Sequence, residues 1–241
     1  MTSVIVLIPF YNESKNIKII QLLVNELSQL DINFKYIFCN DNSTDETSKD
    51  LFKMLNNNNS NFEIITNKLN LGHGGSLVRL SKLEIIKDYE YVLTLDFDFC
   101  YLIEDLKSFL QNIKSHEIKI GKRKFNDEGF FRQFITSFSE LIILFKSGNV
   151  FIDTNCPIRL YPSKIFLEIW SNIPEHTLTP NIISTLIILK RKYIIIRVEL
   201  NKDKSISTSS VSWGKNFFLK KLKILMFSFR SFKQLIFFKD I

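Results

Sequence analysis

Apolar runs of strand length alternate with polar clusters through the first hundred residues. Four such runs cover residues 4–9, 34–38, 62–66 and 91–95. Continuous apolar runs are typical of parallel strands that are covered on both faces. A helical segment over residues 14–30 connects the first run to the second. This β-α-β-α succession predicts an α/β domain with a mostly parallel central sheet flanked by helices.

The fourth run ends in two aspartates, Asp96 and Asp98, which are separated by Phe97. In an extended strand, residues two apart point to the same face, so the two carboxylates are expected side by side. Two such charges raise each other's pKa unless a cation lies between them. Carboxylate oxygens suit Mg²⁺ or Mn²⁺, which bind one or two carboxylates plus the phosphates of a substrate. The pair therefore predicts a divalent-metal site, and the alternative is two solvated aspartates at a strand end.

Polar clusters also follow the other three runs, at residues 9–13, 41–47 and 70–76. Open α/β sheets bind ligands outside the carboxyl ends of their strands, so these clusters are expected to form one site at one edge. The glycines of the third cluster allow a close approach of the backbone and open a helix.

The order of these clusters resembles the GT-A fold of family 2 glycosyltransferases. The matching residues are Pro9-Phe10-Tyr11-Asn12-Glu13, Asp41-Asn42-Ser43-Thr44-Asp45-Glu46-Thr47, Asn70-Leu71-Gly72 with Gly74-Gly75, and Asp96-Phe97-Asp98. Gly121-Lys122-Arg123, Phe131-Arg132 and residues 153–161 are similar to blocks of the dolichol-phosphate mannose synthase-like branch. Enzymes of that branch load a sugar onto a polyprenyl phosphate. The resemblance covers roughly residues 3–213.

The resemblance implies an inverting transfer from a UDP- or GDP-linked sugar, with Mg²⁺ or Mn²⁺ as cofactor. It assigns donor binding to Pro9, Tyr11, Glu13, Asp41, Gly72, Asp96 and Arg159, metal binding to Asp96 and Asp98, and catalysis to Asp98 and Arg123. Glu13 would accept hydrogen bonds from the ribose hydroxyls, and Asp41 would accept one from the base. The alternatives are that Glu13 is a first-turn helix charge, and that Arg159 only pairs with Asp153.

On the acceptor side, no acidic pair matches the general base that transfer to a sugar hydroxyl needs. A phosphate monoester needs no base, because its second pKa of about 6 leaves it mostly ionised near neutral pH. Arg123 and Arg132 are suited to bidentate phosphate binding, with surface solubility as the alternative. We therefore expect a polyprenyl phosphate acceptor. The alternative is a saccharide hydroxyl in polysaccharide or lipid-linked oligosaccharide synthesis, with Glu175 as the nearest candidate base.

Departures from the branch pattern leave a further alternative open. Cys100 stands where the branch has a glutamine, residues 124–130 are a shortened stretch, and residues 202–212 hold a degenerate serine segment. A degenerate, non-catalytic GT-A module is therefore also considered, although Asp96 and Asp98 are intact. A dinucleotide-binding Rossmann domain is rejected because its glycines would follow the first strand directly.

The net charge of +7 is concentrated at the end of the chain, where residues 212–241 hold seven basic residues and one acidic residue. Apolar residues recur there at steps of four and three: Phe218, Leu222, Leu225, Phe229, Phe232 and Ile236. This pattern predicts a basic amphipathic helical tail over residues 212–241, after a GT-A domain over residues 1–211. The tail is expected to lie on an anionic membrane surface. The alternatives are packing on the domain or a coiled-coil seam.

The remaining composition bounds the cellular setting. Three cysteines, an odd number, indicate a reduced intracellular protein rather than a disulfide framework. Neither a secretory leader nor a membrane-spanning run is predicted, so the expected location is cytoplasmic and peripheral on the membrane. The rest of the chain lacks a basic patch interleaved with aromatics, which argues against nucleic acid as a partner.

Overall fold

The computed structural model describes residues 1–57, 61–124, 130–203 and 217–239, with the backbone alone for residues 130–134 and 217–221. The strands are β1 (Thr2–Phe10), β2 (Ile32–Asn40), β3 (Phe62–Thr66), β4 (Tyr91–Thr94), β5 (Glu117–Arg123), β6 (Arg159–Pro162) and β7 (Ile194–Leu200). The helices are α1 (Ile17–Leu27), α2 (Thr47–Asn57), α3 (Gly72–Leu80), α4 (Ile103–Phe109), α5 (Phe130–Ser147), α6 (Ser163–Trp170), α7 (Pro180–Lys190) and α8 (Phe217–Phe237).

The seven described strands form one sheet in the order β3-β2-β1-β4-β6-β5-β7. Every neighbouring pair is parallel except the two pairs that β6 makes with β4 and β5. The middle of β1, from Val4 to Ile8, is completely buried, as a continuous apolar run predicts for a strand covered on both faces. The expected α/β architecture with a mostly parallel sheet is confirmed.

The first four strands bring the polar clusters to one edge of the sheet. The strand order reverses at β1, because β2 and β3 lie on one side of it and β4 lies on the other. A crevice opens at the carboxyl ends of the strands at such a point. Backbone hydrogen bonds join the segments there: Asp41 N donates to Phe10 O at 2.9 Å, and Leu95 N donates to Leu7 O at 3.2 Å. The segments after β1, β2 and β4 are therefore neighbours.

The reversed strand β6 brings the second half of the chain to the same edge. Arg159, the first residue of β6, pairs with Thr94 of β4 and with Ile120 of β5. The segment that precedes β6 and the carboxyl end of β5 therefore reach the same crevice. The segment after β7 returns there as well, because Lys202 forms a bridge with Tyr101.

The segment after β1 differs from the expected helix over residues 14–30. A 3₁₀ turn occupies Ser14–Asn16, and α1 begins at Ile17. Ser14 does not cap the helix with its side chain; its backbone N–H donates to Asp45 Oδ2 at 3.4 Å. Asp45 also accepts from the Thr47 backbone N–H and hydroxyl. Backbone N–H groups of residues 12–14 thus donate to side chains of residues 43–47, after β2.

α8 packs on the domain through its carboxyl-terminal half. Leu235 and Phe238 are buried, and Lys146 Nζ donates to the carbonyl oxygens of Leu235, Ile236 and Phe238. The predicted tail helix is confirmed over Phe217–Phe237, whereas the expected boundary at residues 211 and 212 lies outside the described residues. None of the described helices has the length and apolarity that crossing a bilayer requires.

Candidate functional site

Asp96 and Asp98 lie in a turn just beyond β4, not in the strand itself. The expected alternation persists: Phe97 and Phe99 are buried, whereas the two aspartates are half-buried. The Phe97 ring packs against Phe10 at a centroid distance of 5.2 Å and anchors the turn beneath the crevice. The two carboxylates therefore share the open side of the turn, although strand geometry does not place them there.

The turn offers an incomplete set of ligands for a cation. Asp96 Oδ1 is buried and accepts no hydrogen bond from the described residues. His73 Nε2 lies 3.3 Å from this oxygen and forms an ion pair with it only when protonated. A buried carboxylate oxygen without a donor is costly, so this position fits a cation. No group of three or more His, Cys, Asp or Glu in the described part of the chain is arranged to hold a metal ion.

Glu13 lies across the crevice from the aspartates, on the segment after β1. Its backbone N–H donates to Thr47 Oγ1 at 2.8 Å, and its Oε2 accepts from Asn16 Nδ2 at 2.5 Å. Burial raises the pKa of the Glu13 carboxyl to about 7, and the negative charges of Asp98, Asp45 and Asp96 also raise it, against the Asn16 hydrogen bond. Glu13 is therefore part of an acidic, partly desolvated wall and is not an exposed first-turn charge. Pro9 and Tyr11 precede it in the chain; Pro9 is buried, and Tyr11 is 45% exposed.

Asp41 holds the glycine-containing loop in place. It is 2% exposed, and its Oδ1 accepts from Asn67 Nδ2 at 2.6 Å and from the Leu71 backbone N–H at 2.8 Å. Gly72 follows with φ of +74°, a left-handed conformation that favours glycine. A Cβ on Gly74 would lie 2.4 Å from Leu178 O, so this loop packs directly on the backbone before α7. The predicted binding residues Asp41 and Gly72 are thus parts of one packed structure.

Arg123, at the end of β5, forms a buried ion pair with Asp153. Asp153 is fully buried with φ of +57°, and its carboxylate accepts from the Arg123 backbone N–H at 2.9 Å and from Nη2 at 2.6 Å. Burial lowers the pKa of Arg123, but the Asp153 carboxylate outweighs this and holds it above its ordinary value. Only 15% of the Arg123 side chain is exposed. The side chain of Arg132, the other predicted phosphate ligand, lies outside the described residues.

Arg159 braces the segment that precedes β6. Its Nε donates to Cys156 O at 2.8 Å, its Nη2 to Thr154 O at 2.6 Å and its Nη1 to Ser184 Oγ at 3.0 Å. The residue is completely buried, so in this structure it does not reach the open side of the crevice where a diphosphate was expected. The alternative that Arg159 pairs with Asp153 is wrong, because Arg123 occupies that carboxylate.

Lys202 is a candidate that the sequence did not reveal. It is exposed and lies beside the aspartate turn through its bridge with Tyr101. Burial and the Asp98 charge raise the pKa of Cys100, while the positive charge of Lys202 acts in the opposite direction. Lys202 therefore brings a cation to the acidic edge. The pairing of the segment after β7 with the segment after β4 brings it there, and no local motif marks such pairing.

Comparison with known proteins finds a matching family model and similar folds. The family model of glycosyl transferase family 2 matches residues 5–170. A complex of glucosyl-3-phosphoglycerate synthase from Mycobacterium tuberculosis with UDP is 13% identical, with a TM-score of 0.66, covering 98% of this chain and 79% of that chain. The same synthase with Mn²⁺, UDP-Glc and phosphoglyceric acid is 12% identical, with a TM-score of 0.65 and the same coverage.

A third similar structure is S. aureus TarS 1-349, which is 22% identical with a TM-score of 0.53. The alignment covers 85% of this chain and 58% of that chain. At such identities the likeness establishes the fold alone, and it confirms the expected GT-A architecture.

Replacing Glu13 by glutamine tests the acidic wall. The folded chain keeps a proton on Glu13 up to about pH 7, whereas the unfolded chain loses it near the ordinary pKa of 4.5. The folded state binds more protons between these values, so the free energy of unfolding falls as pH rises through this window. Glu13→Gln abolishes this contribution. In urea titrations with EDTA, the variant should therefore gain stability relative to the wild type between pH 5 and pH 8.

The exposed glutamate of β3 provides the matched control, Glu63→Gln, which should follow the wild-type pH dependence. If wild type and Glu13→Gln keep a constant stability difference across this pH range, Glu13 is not protonated in the folded chain.

Arg159→Lys separates a bracing role from a donor-binding role. Lysine keeps the charge but cannot reach the two carbonyls and the Ser184 hydroxyl together. The loss of these buried hydrogen bonds should lower the free energy of unfolding by about 3 kcal/mol or more. Arg191→Lys, at a partly exposed ion pair with Glu168, is the control and should cost about 1 kcal/mol or less. A variant of unchanged stability that loses nucleotide affinity would instead place Arg159 at the ligand.

Proposed function

The chain belongs to glycosyl transferase family 2, and we propose that it transfers a sugar from a nucleoside diphosphate sugar to a polyprenyl phosphate, with inversion, at the carboxyl edge of its sheet. The observation that carries this proposal is the pair Asp96 and Asp98. Asp96 Oδ1 is buried and accepts no hydrogen bond from the described part of the chain, and the charges of both aspartates act on the Glu13 carboxyl.

The donor fits the crevice between the ends of β1, β2 and β4. Pro9, Tyr11 and Glu13 line its nucleoside, with the Glu13 carboxyl accepting from the ribose hydroxyls. Asp41 Oδ1 already binds the glycine-containing loop, so the base would be read by the remaining acceptor capacity of that carboxylate. Gly74 packs against the Leu178 carbonyl, and this contact would hold the glycine-containing loop in position beside the diphosphate. The donor would be a UDP- or GDP-linked sugar.

The aspartate pair fits a divalent cation. Mg²⁺ and Mn²⁺ bind one or two carboxylates and take their other ligands from phosphates, and Asp96 with Asp98 provides this number. The bound ion would neutralise the charge that develops on the leaving nucleotide. The Mycobacterium tuberculosis synthase of the same fold crystallises with Mn²⁺ and UDP-Glc, which supports this assignment. His73 Nε2 lies 3.3 Å from Asp96 Oδ1.

A phosphate acceptor accounts for the cations at the other side of the crevice. Arg123 is fixed by Asp153, Lys202 lies beside the aspartate turn, and Arg132 follows β5 in the sequence. Glu175, the base considered for a sugar hydroxyl, is poorly suited to that role. Its carboxylate pairs with Lys82, whose hydrogen bond and charge lower the pKa of Glu175. A carboxylate with a lowered pKa is a weak base. A phosphate monoester, already ionised, needs none.

Asp98→Asn should reduce turnover by orders of magnitude, since the amide is a poor ligand for the cation, while the thermal unfolding midpoint stays close to that of the wild type. The measurement is release of nucleotide from UDP- and GDP-sugars with added Mn²⁺, and EDTA should abolish it in the wild type. Asp88→Asn, an exposed aspartate before β4, should behave as the wild type. Full activity in EDTA would contradict the metal assignment.

The acceptor is tested with radiolabelled donor and four candidate acceptors: a short-chain polyprenyl phosphate, the corresponding polyprenol, a saccharide and phosphoglyceric acid. Label should appear only on the polyprenyl phosphate. Arg132→Gln should raise the apparent KM for that acceptor about tenfold, the effect of losing about 1.5 kcal/mol from a charged hydrogen bond. The KM for the donor should not change. Lys164→Gln, an exposed cation on α6, is the control.

Label transferred only to the saccharide would show that a base operates at this site. Glu140 would then be the first residue to replace, because burial raises the pKa of its carboxyl and its Oε1 accepts from the Asp153 backbone N–H at 2.8 Å.

A further inference from the structure

α8 has two apolar faces, and only one of them packs on the domain. The packed face consists of Ser228, Ser231, Leu235 and Phe238, all of which are buried. These residues recur at steps of three and four, so they share one side of the helix. A helix that only completed the core would carry polar residues on its opposite side.

The opposite side of α8 is apolar and exposed. We call it the outer face; it consists of Leu222 (45% exposed), Leu225 (48%), Met226 (50%), Phe229 (71%), Ile236 (50%) and Phe237 (72%). The predicted tail stripe falls mainly on this face, since Leu222, Leu225, Phe229 and Ile236 belong to both. Contiguous apolar surfaces of this kind are rare on monomeric proteins and mark interaction sites.

α5 extends this surface beside α8. Phe138, Leu141 and Phe145 follow at steps of three and four and are 38%, 44% and 82% exposed. The Phe138 ring contacts Phe232 of α8 at a centroid distance of 4.7 Å. Lys146 binds the last carbonyls of α8 and fixes the two helix ends to each other. The exposed aromatic residues of the two helices are therefore held by one framework.

The charge on this framework has a single sign. Lys223, Arg230 and Lys233 are exposed on α8, and Lys239 is exposed just after it. Residues 217–239 contain no acidic residue. An amphipathic helix with a Phe- and Leu-rich face flanked by cations binds at the boundary between headgroups and acyl chains of anionic membranes. A second copy of this chain is a poor occupant, because two-fold pairing through this face would bring two cationic helices together, and residues 217–239 offer no acidic partner for those cations.

We propose that the outer face of α8, together with Phe138, Leu141 and Phe145 of α5, docks on the surface of an anionic lipid bilayer. Phe145, Phe229 and Phe237 insert among the acyl chains, and the lysines and Arg230 contact the lipid phosphates. This inference does not rest on the proposed acceptor, since docking is measured without any transfer reaction.

Docking would place the bilayer next to the donor loop. Gln234 Oε1 accepts from the Leu178 backbone N–H at 2.9 Å, and its Nε2 donates to His176 O at 2.8 Å. The same short segment packs against Gly74, so closely that a Cβ on Gly74 would not fit between them. The segment of residues 176–178 thus contacts both α8 and the glycine-containing loop at the crevice.

The test is cosedimentation of the full chain with vesicles of phosphatidylcholine, alone or mixed with phosphatidylglycerol. The wild type should bind the mixed vesicles more tightly, and salt should weaken this binding. The combined variant Phe145→Ser, Phe229→Ser and Phe237→Ser should lose at least tenfold in affinity. Leu22→Ser with Phe52→Ser, at exposed apolar positions on α1 and α2, should bind as the wild type.

Charge is tested separately. Lys223→Gln with Arg230→Gln should weaken binding to the mixed vesicles severalfold and leave binding to phosphatidylcholine unchanged, whereas Lys18→Gln with Lys53→Gln should change neither. If the triple variant unfolds, Phe229→Trp alone keeps the proposal testable, since its fluorescence should shift to the blue only with anionic vesicles.

Two results would overturn the proposal. The first is equal vesicle binding by the wild type and a folded triple variant. The second is a wild-type dimer that the triple variant converts to monomers, with no vesicle binding, which would make this face a seam between copies.

Discussion

The parallel direction of β1, β2 and β4 is the constraint on which the site depends. Parallel strands place their carboxyl ends at one edge, so the segments after them meet there whatever side chains they carry. The backbone bonds from Asp41 N to Phe10 O and from Leu95 N to Leu7 O show this directly. Acidic side chains that repel one another are thus held together by the burial of apolar strands beneath them, and this repulsion raises the pKa of Glu13 further.

The second half of the site depends on arginines that are used as structural braces. Arg123 holds the Asp153 carboxylate, Arg159 holds the carbonyls of Thr154 and Cys156, and Arg197 Nη1 donates to Ile152 O at 2.8 Å. Removing one member of such a buried pair leaves a charge without compensation. These contacts therefore hold the segment before β6 in one conformation, and the first role of these three arginines is structural. Any acceptor would bind an edge that is organised in advance.

The sequence predicted the parts of this structure that follow from burial. Buried parallel strands are continuous apolar runs, so the bounds of the buried strand β4 were predicted to within one residue, and the outward position of Asp96 and Asp98 followed from the alternation with Phe97. The partner of Asp153 could not be predicted, because it depends on the register of the reversed strand β6. Lys202 was missed because it reaches the aspartate turn through the pairing of the segment after β7 with the segment after β4, which no local motif marks. Helical periodicity found a stripe on α8, but periodicity alone cannot say which of two apolar faces packs.

The two apolar faces of α8 have different consequences for the protein. Burial of Leu235 and Phe238 makes the helix part of the domain, so its removal would expose core surface and release the segment that Gln234 holds. That segment meets Gly74, whose loop is tied to Asp41 by the Leu71 N–H. Each contact in this series is a hydrogen bond or a close backbone contact without space for a Cβ, so a shift of α8 would also displace the glycine-containing loop. The outer face of α8 is therefore linked by packed contacts to the sheet edge that carries Asp41, and α8 is not an independent appendage.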